Sequence, residues 1–235
     1  MTRARIQLAP GHVLRTSPYR DTSLLVEAWT PLHGRVGLVA RGTRGAKSKT
    51  RALLQPFQPL LISWNEQGDL GALTGVEADG HAITLGGEAI FSGWYLNELL
   101  LRLLQRHDPH PALYVEYVRA LARLPSLLEP ALRIFEKNLL SELGYGLQLP
   151  DEIDADGAYH YDAELGPIAC DADASGAYVG ASLIALRDEA FAADESSRRA
   201  LSDARRLLRL NLKPLLGNRE LEASRLLRAL RARGP

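Results

Sequence analysis

The chain has 235 residues, with 28 Lys and Arg balanced by 28 Asp and Glu, 46% hydrophobic and 24% charged residues. That composition belongs to a folded globular chain, longer than the usual single domain of about 100–150 residues and too apolar to be disordered throughout. The single cysteine, Cys170, excludes an intrachain disulfide and a thiolate-rich zinc site, and no apolar run reaches the roughly 18–20 residues of a membrane span.

The zero net charge conceals a segregation. Residues 1–60 carry ten Lys and Arg against two acids, whereas residues 151–174 carry eight acids and neither Lys nor Arg. A polyanion is attracted by the first segment and repelled by the second. Met1-Thr-Arg-Ala-Arg5 lacks the apolar stretch of a signal peptide, so a cytoplasmic location is the expectation.

Residues 12–77 have β character. A first strand is expected near His12–Thr16. Leu24, Val26 and Ala28 then alternate with Leu25, Glu27 and Trp29, and Pro31-Leu-His-Gly34 turns the chain into Arg35–Ala40. Arg41 to Arg51 follows as a connection holding Arg41, Arg44, Lys47, Lys49 and Arg51, with Gly42 and Gly45 between them. Leu60, Ile62 and Trp64 alternate next, and Asn65-Glu-Gln-Gly68 leads into Leu70–Val76. Five short antiparallel strands suit a closed barrel of the OB type, with a two-sheet sandwich as the structural alternative.

After about residue 85 the period changes to that of helices. Ile90 to Leu104, Pro111 to Leu124, a segment ending at Leu143, Leu201 to Leu216 and Arg219 to Arg231 are the expected helices. Ser126 and Glu129 have capping-box spacing, Pro214 marks the exit of its helix, and Asn218 caps the last one. The acidic stretch alternates poorly and reads as an irregular insertion between helices near 151–180, with a hairpin as one form open to it. The organisation is therefore α+β: residues 1–80 a barrel, residues 81–235 an α-helical domain.

Three enzyme readings fail on residues. Arg41 and Ala46 stand where a phosphate-binding loop needs glycine, no Gly-x-Ser-x-Gly elbow occurs, and Cys170 has only acids nearby to influence its thiol. The six histidines show no metal-ligand spacing. No catalytic residue, metal or cofactor is expected.

The order of features resembles the RecO family. Phe135-Glu136, Leu139-Leu140, Leu143-Gly144-Tyr145, the late Leu212-Lys213-Pro214-Leu215-Leu216-Gly217, and the N-terminal Gly34-Arg35-Val36-Gly37-Leu38-Val39-Ala40-Arg41-Gly42 carry the likeness over nearly the whole chain. The resemblance implies an OB-fold domain joined to a helical domain. It further implies binding of single- and double-stranded DNA, strand annealing, and work with RecR to load RecA on strands coated by single-strand-binding protein (SSB). Many members carry a four-cysteine zinc site; Cys170 alone marks this chain as similar to the zinc-free branch.

The expected DNA surface comprises Arg15, Tyr19, Arg20, Arg35, Arg41, Arg44, Lys47, Lys49 and Arg51, with Tyr19 or Trp29 available to stack on a base. Trp29, Phe57 and Trp64 read alternatively as barrel core. Arg133 and Lys137, beside Phe135 and Leu139, are the expected seat of the SSB C-terminal tail, because an acidic tail with an apolar end needs an apolar groove with cations at its mouth. A basic OB-fold adaptor for RNA or a ribonucleoprotein is the alternative of a different class.

Overall fold

A computed structural model describes residues 4–43, 45, 48–191, 195–217 and 220–232. Two compact units divide the chain; the first ends at Ala122 and resumes at Glu220, and the second lies between them.

The first unit contains a closed barrel. Strands β1 (Arg5–Tyr19), β2 (Ser23–Thr30) and β3 (Gly34–Ala40) form an antiparallel meander, and β4 (Pro59–Asn65) pairs with both β1 and β5 (Gly71–Ala78). Closure comes from β3 beside β5, giving the ring order β1-β2-β3-β5-β4 of an OB-like barrel. The expectation of five antiparallel strands is corrected here: Leu38 faces Gly71 and Val39 faces Ala72 in a parallel pair. An odd number of strands cannot alternate direction all the way round a ring, so one like-directed pair is unavoidable.

Alternation places Val26 and Ala28, Val36 and Leu38, and Leu60, Ile62 and Trp64 inside the barrel. Trp29 is buried too, but period two turns it outward from Ala28. It packs under Tyr114 and Tyr117 at centroid distances of 5.2 and 5.5 Å. Its burial is therefore owed to the helices that cover the barrel. Phe57 lies under Gly93, where a Cβ would come within 2.8 Å of its ring.

Those helices are α2 (Glu88–Leu103) and α3 (Pro111–Arg123). The Asn97 amide donates to the Leu14 carbonyl at 2.9 Å and accepts from the Tyr117 hydroxyl at 2.7 Å, tying both helices to β1. The last helix, α7 (Glu222–Ala232), packs on α2, and the Glu98 carboxylate accepts from the Glu222 and Ala223 backbone N–H groups at 3.0 Å. A carboxylate from another helix thus satisfies its first free donors. Asn218, the expected cap, lies outside the described residues.

In the second unit α4 (Leu128–Glu142) starts one residue later than a capping box would allow. Its N-cap is Leu127, and Ser126 Oγ is turned back to the Arg123 carbonyl at 3.5 Å. The acidic stretch folds as a hairpin of β6 (Ala158–Asp162) and β7 (Gly166–Cys170), joined by β8 (Tyr178–Val179). Asp162 holds its turn by accepting from the Glu164 and Leu165 N–H groups at 2.8 and 2.9 Å, which lowers its carboxyl pKa. Helices α5 (Gly180–Arg187) and α6 (Glu195–Leu216) follow. Helix α6 runs past Pro214 to Leu216, since a proline in the last turn costs one backbone hydrogen bond and no longer segment. Among the described residues no helix is long and apolar enough to cross a membrane.

Candidate nucleic-acid interface

Strand register brings Arg20 and Arg41 to one end of the barrel. Tyr19 faces Ser23, and Leu24 faces Ala40 one strand further on. Arg20, in the β1–β2 turn, and Arg41, which follows Ala40, therefore leave the two strands that flank β2 at the same end, within about 10 Å at ordinary strand spacing. Arg20 adopts a positive φ of 50° and lays its guanidinium 5.3 Å from the centroid of the half-buried Tyr19 ring. Arg41 is exposed.

The connection beyond Arg41 has a scaffold. Thr43 is buried and its hydroxyl donates to the Ala40 carbonyl at 2.7 Å, while the Ser48 hydroxyl caps the short helix α1 (Lys49–Leu53) by accepting from the Arg51 N–H at 3.3 Å. Leu53 and Leu54 anchor α1 against the barrel core. Lys49 and Arg51 are thereby exposed on a fixed turn of helix. Arg44 and Lys47 lie outside the described residues.

Arg15 is exposed on β1, four residues before Tyr19, hence about 13 Å back along the strand, where it faces Glu27. Arg35 is different. Its guanidinium is 16% exposed, stands 3.8 Å from the Glu27 carboxylate and donates to the Leu101 carbonyl of α2. Burial lowers its pKa, and Glu27 works in the opposite direction. Arg106 completes the group, donating to Glu27 over Gly37, where a Cβ would lie 2.7 Å from the guanidinium. Arg35 thus fastens β3 to α2 instead of facing a ligand.

The four residues expected to receive an acidic tail lie in α4. Phe135 and Leu139 are fully packed into the core, and Arg133 is 5% exposed with its guanidinium 3.0 Å from the buried Glu136 carboxylate. Lys137 Nζ sits 2.8 Å from Glu189 and donates to the Arg187 carbonyl at 3.0 Å. Arg133 is thus paired within α4 and Lys137 is paired to Glu189 beyond it, on either side of the packed Phe135 and Leu139.

Sequence reasoning passed over one cluster. His12 Nδ1 lies 2.8 Å from the Tyr114 hydroxyl, and the ring is flanked by Tyr114 and Tyr117 at 5.6 and 5.5 Å. Burial lowers the imidazole pKa to about 4 and raises both phenols above their ordinary value. The group is a neutral, packed strut between β1 and α3. No ligand-like spacing announces it, since His12 and Tyr114 are 102 residues apart.

Comparison with known proteins agrees along the chain. The family described as recombination protein O, N terminal, matches residues 5–80, and recombination protein O, C terminal, matches residues 86–225. Relatives named DNA repair protein RecO include one from Nitrosococcus oceani, 46% identical over 243 residues and covering 98% of this chain and 96% of its own. One from Coxiella burnetii (strain RSA 493 / Nine Mile phase I) is 43% identical over 231 residues, covering 95% and 98%. Another, from Alkalilimnicola ehrlichii, is 43% identical over 244 residues, covering 100% and 96%. With both halves matched and such identity end to end, the chain belongs to the RecO family of DNA-repair and recombination proteins.

Proposed function

We propose that this chain is a non-enzymatic recombination mediator of DNA repair, which binds single- and double-stranded DNA by the backbone and brings complementary strands together. The observation that supports the reading is that strand register brings Tyr19, Arg20 and Arg41 to one end of the barrel, with Lys49 and Arg51 exposed on α1 in the connection that leaves β3 at that end. Lysine and arginine there release counterions from phosphates, and Tyr19 offers a face on which an unpaired base can stack. Annealing needs two polyanions held close and no bond broken, so a cationic surface without a nucleophile suffices.

In this reading the protein acts in the cytoplasm on nucleoid DNA, with RecR, to place RecA on SSB-coated strands. Docking of the SSB tail falls to the second unit, where Lys137 would exchange the Glu189 carboxylate for one of the tail's. Arg133, buried against Glu136, serves the fold of α4.

The test compares affinity for single-stranded DNA, duplex DNA and RNA at two salt concentrations, followed by strand annealing. The Arg41→Ala/Lys49→Ala/Arg51→Ala protein is expected to bind both DNA forms more weakly. Its log-affinity against log-salt slope should be shallower by about 2–3, from roughly 0.7 per phosphate on single strands and 0.9 on duplex. An unchanged slope removes this end of the barrel from the interface, and preference for RNA over both DNA forms favours the adaptor reading.

A further inference from the structure

We propose that α6 presents a second phosphate-backbone site, in the unit that does not contain the barrel. Between Arg198 and Lys213 its sequence carries six basic residues and one acid, Asp203. At 3.6 residues per turn, Arg198, Arg199, Arg205, Arg206, Arg209 and Lys213 all fall within an arc of about 120°. All six are exposed, whereas Ala200, Ala204, Leu207, Leu208 and Leu212 on the remaining surface are buried.

Asp203 does not neutralise this face. Its carboxylate stands 3.0 Å from Arg206, whose guanidinium also lies 3.9 Å from the Tyr178 ring centroid and donates to the Gly176 and Ala177 carbonyls at 2.5 and 2.8 Å. Arg206 is a clamp for β8. Among the described residues, Arg199, Arg205, Arg209 and Lys213 have no carboxylate partner.

The shape of the charge selects the occupant. Arg198 to Lys213 spans about 22 Å of helix, and Arg205, Arg209 and Lys213 repeat at about 6 Å. A nucleic-acid strand offers a continuous line of phosphates along such a length. A membrane surface would need an apolar face to insert, and here that face is committed to the core. An acidic peptide would need an apolar pocket for an anchor, and only Leu210 is an exposed large apolar residue on α6.

Combined with the proposed barrel-end site, on which this consequence rests, one chain holds two strands at once. The experiment uses the full-length protein loaded with one labelled strand and measures capture of a second, non-complementary labelled strand by energy transfer. Arg205→Glu/Arg209→Glu is expected to bind the first strand within about twofold of wild type and to lose second-strand capture by at least tenfold. Arg205→Lys/Arg209→Lys is expected to retain it, which separates charge from folding; circular dichroism and thermal melting establish that each variant is folded. Unchanged capture by the Glu variant, or its loss in the Lys variant as well, overturns the α6 site. Loss of first-strand binding in the Arg41/Lys49/Arg51 variant with capture unaffected by α6 leaves the barrel reading standing alone. An acidic peptide that binds α6 more tightly than DNA of equal charge also overturns the proposal.

Discussion

Replacing Arg133 with alanine is expected to destabilise the protein by about 3–5 kcal/mol, the cost of leaving a buried carboxylate without its cation. Arg133 is 5% exposed and Glu136 is 1% exposed, with 3.0 Å between the charged atoms. At that depth neither group recovers its hydration when the other is removed. An exposed pair at the same i, i+3 spacing contributes well under about 1 kcal/mol. The contrasting variant is Arg133→Met/Glu136→Leu, which removes both charges and keeps the volume. It should recover most of the loss, because desolvating two charges offsets much of what their attraction supplies. Urea unfolding of the two variants and wild type reads both outcomes. A loss below about 1 kcal/mol for Arg133→Ala would mean that water reaches the pair, and it would return Arg133 to the pool of cations able to meet a partner.

Acidification from about pH 7 to below 4 is expected to remove about 3 kcal/mol of stability through His12 alone. The unfolded imidazole takes a proton near 6.5, whereas the folded one does so only at about 4, because burial between β1 and α3 disfavours the cation. Between those values the unfolded state binds more protons, so stability rises with pH across the window. The contribution is complete above about 6.5 and lost as pH falls through 4; the difference of about 2.5 units at 1.36 kcal/mol each gives the magnitude. His12→Gln retains a group able to meet the Tyr114 hydroxyl and does not titrate. Stability measured against pH should therefore fall more steeply for wild type than for this variant across pH 4–6.5. Parallel curves would place the proton elsewhere.

Much of the architecture was legible because it is periodic. Leu60, Ile62 and Trp64 alternate in the sequence and alternate in burial, and the β2–β3 hairpin lies where Pro31-Leu-His-Gly34 puts it. Helix α4 was visible from its leucines, yet its capping box did not form, since Ser126 stands one residue outside the N-cap. Period alone could not show that Trp29 is buried outside the barrel under Tyr114 and Tyr117. The candidate site divides in the same way. Arg35 and Arg41 are equivalent in a charge count, but one is enclosed by Glu27, Leu101 and Arg106 while the other is exposed. The basic face of α6 was hidden for another reason: the lysines and arginines are interleaved with its leucines, and only the helical turn separates them.

The alternation that closes a barrel, the stripes that bury helices, the sorting of charge along the chain and the family are all written in the order of residues. Which cations face solvent was settled by the folded arrangement. A residue's charge travels with its side chain, but its exposure and its counterion come from neighbours remote in sequence, as Glu27 and Arg106, 79 residues apart, illustrate. Burial of a charge is decided by those neighbours, and so is the choice between an arginine that holds the fold and one that can hold a phosphate.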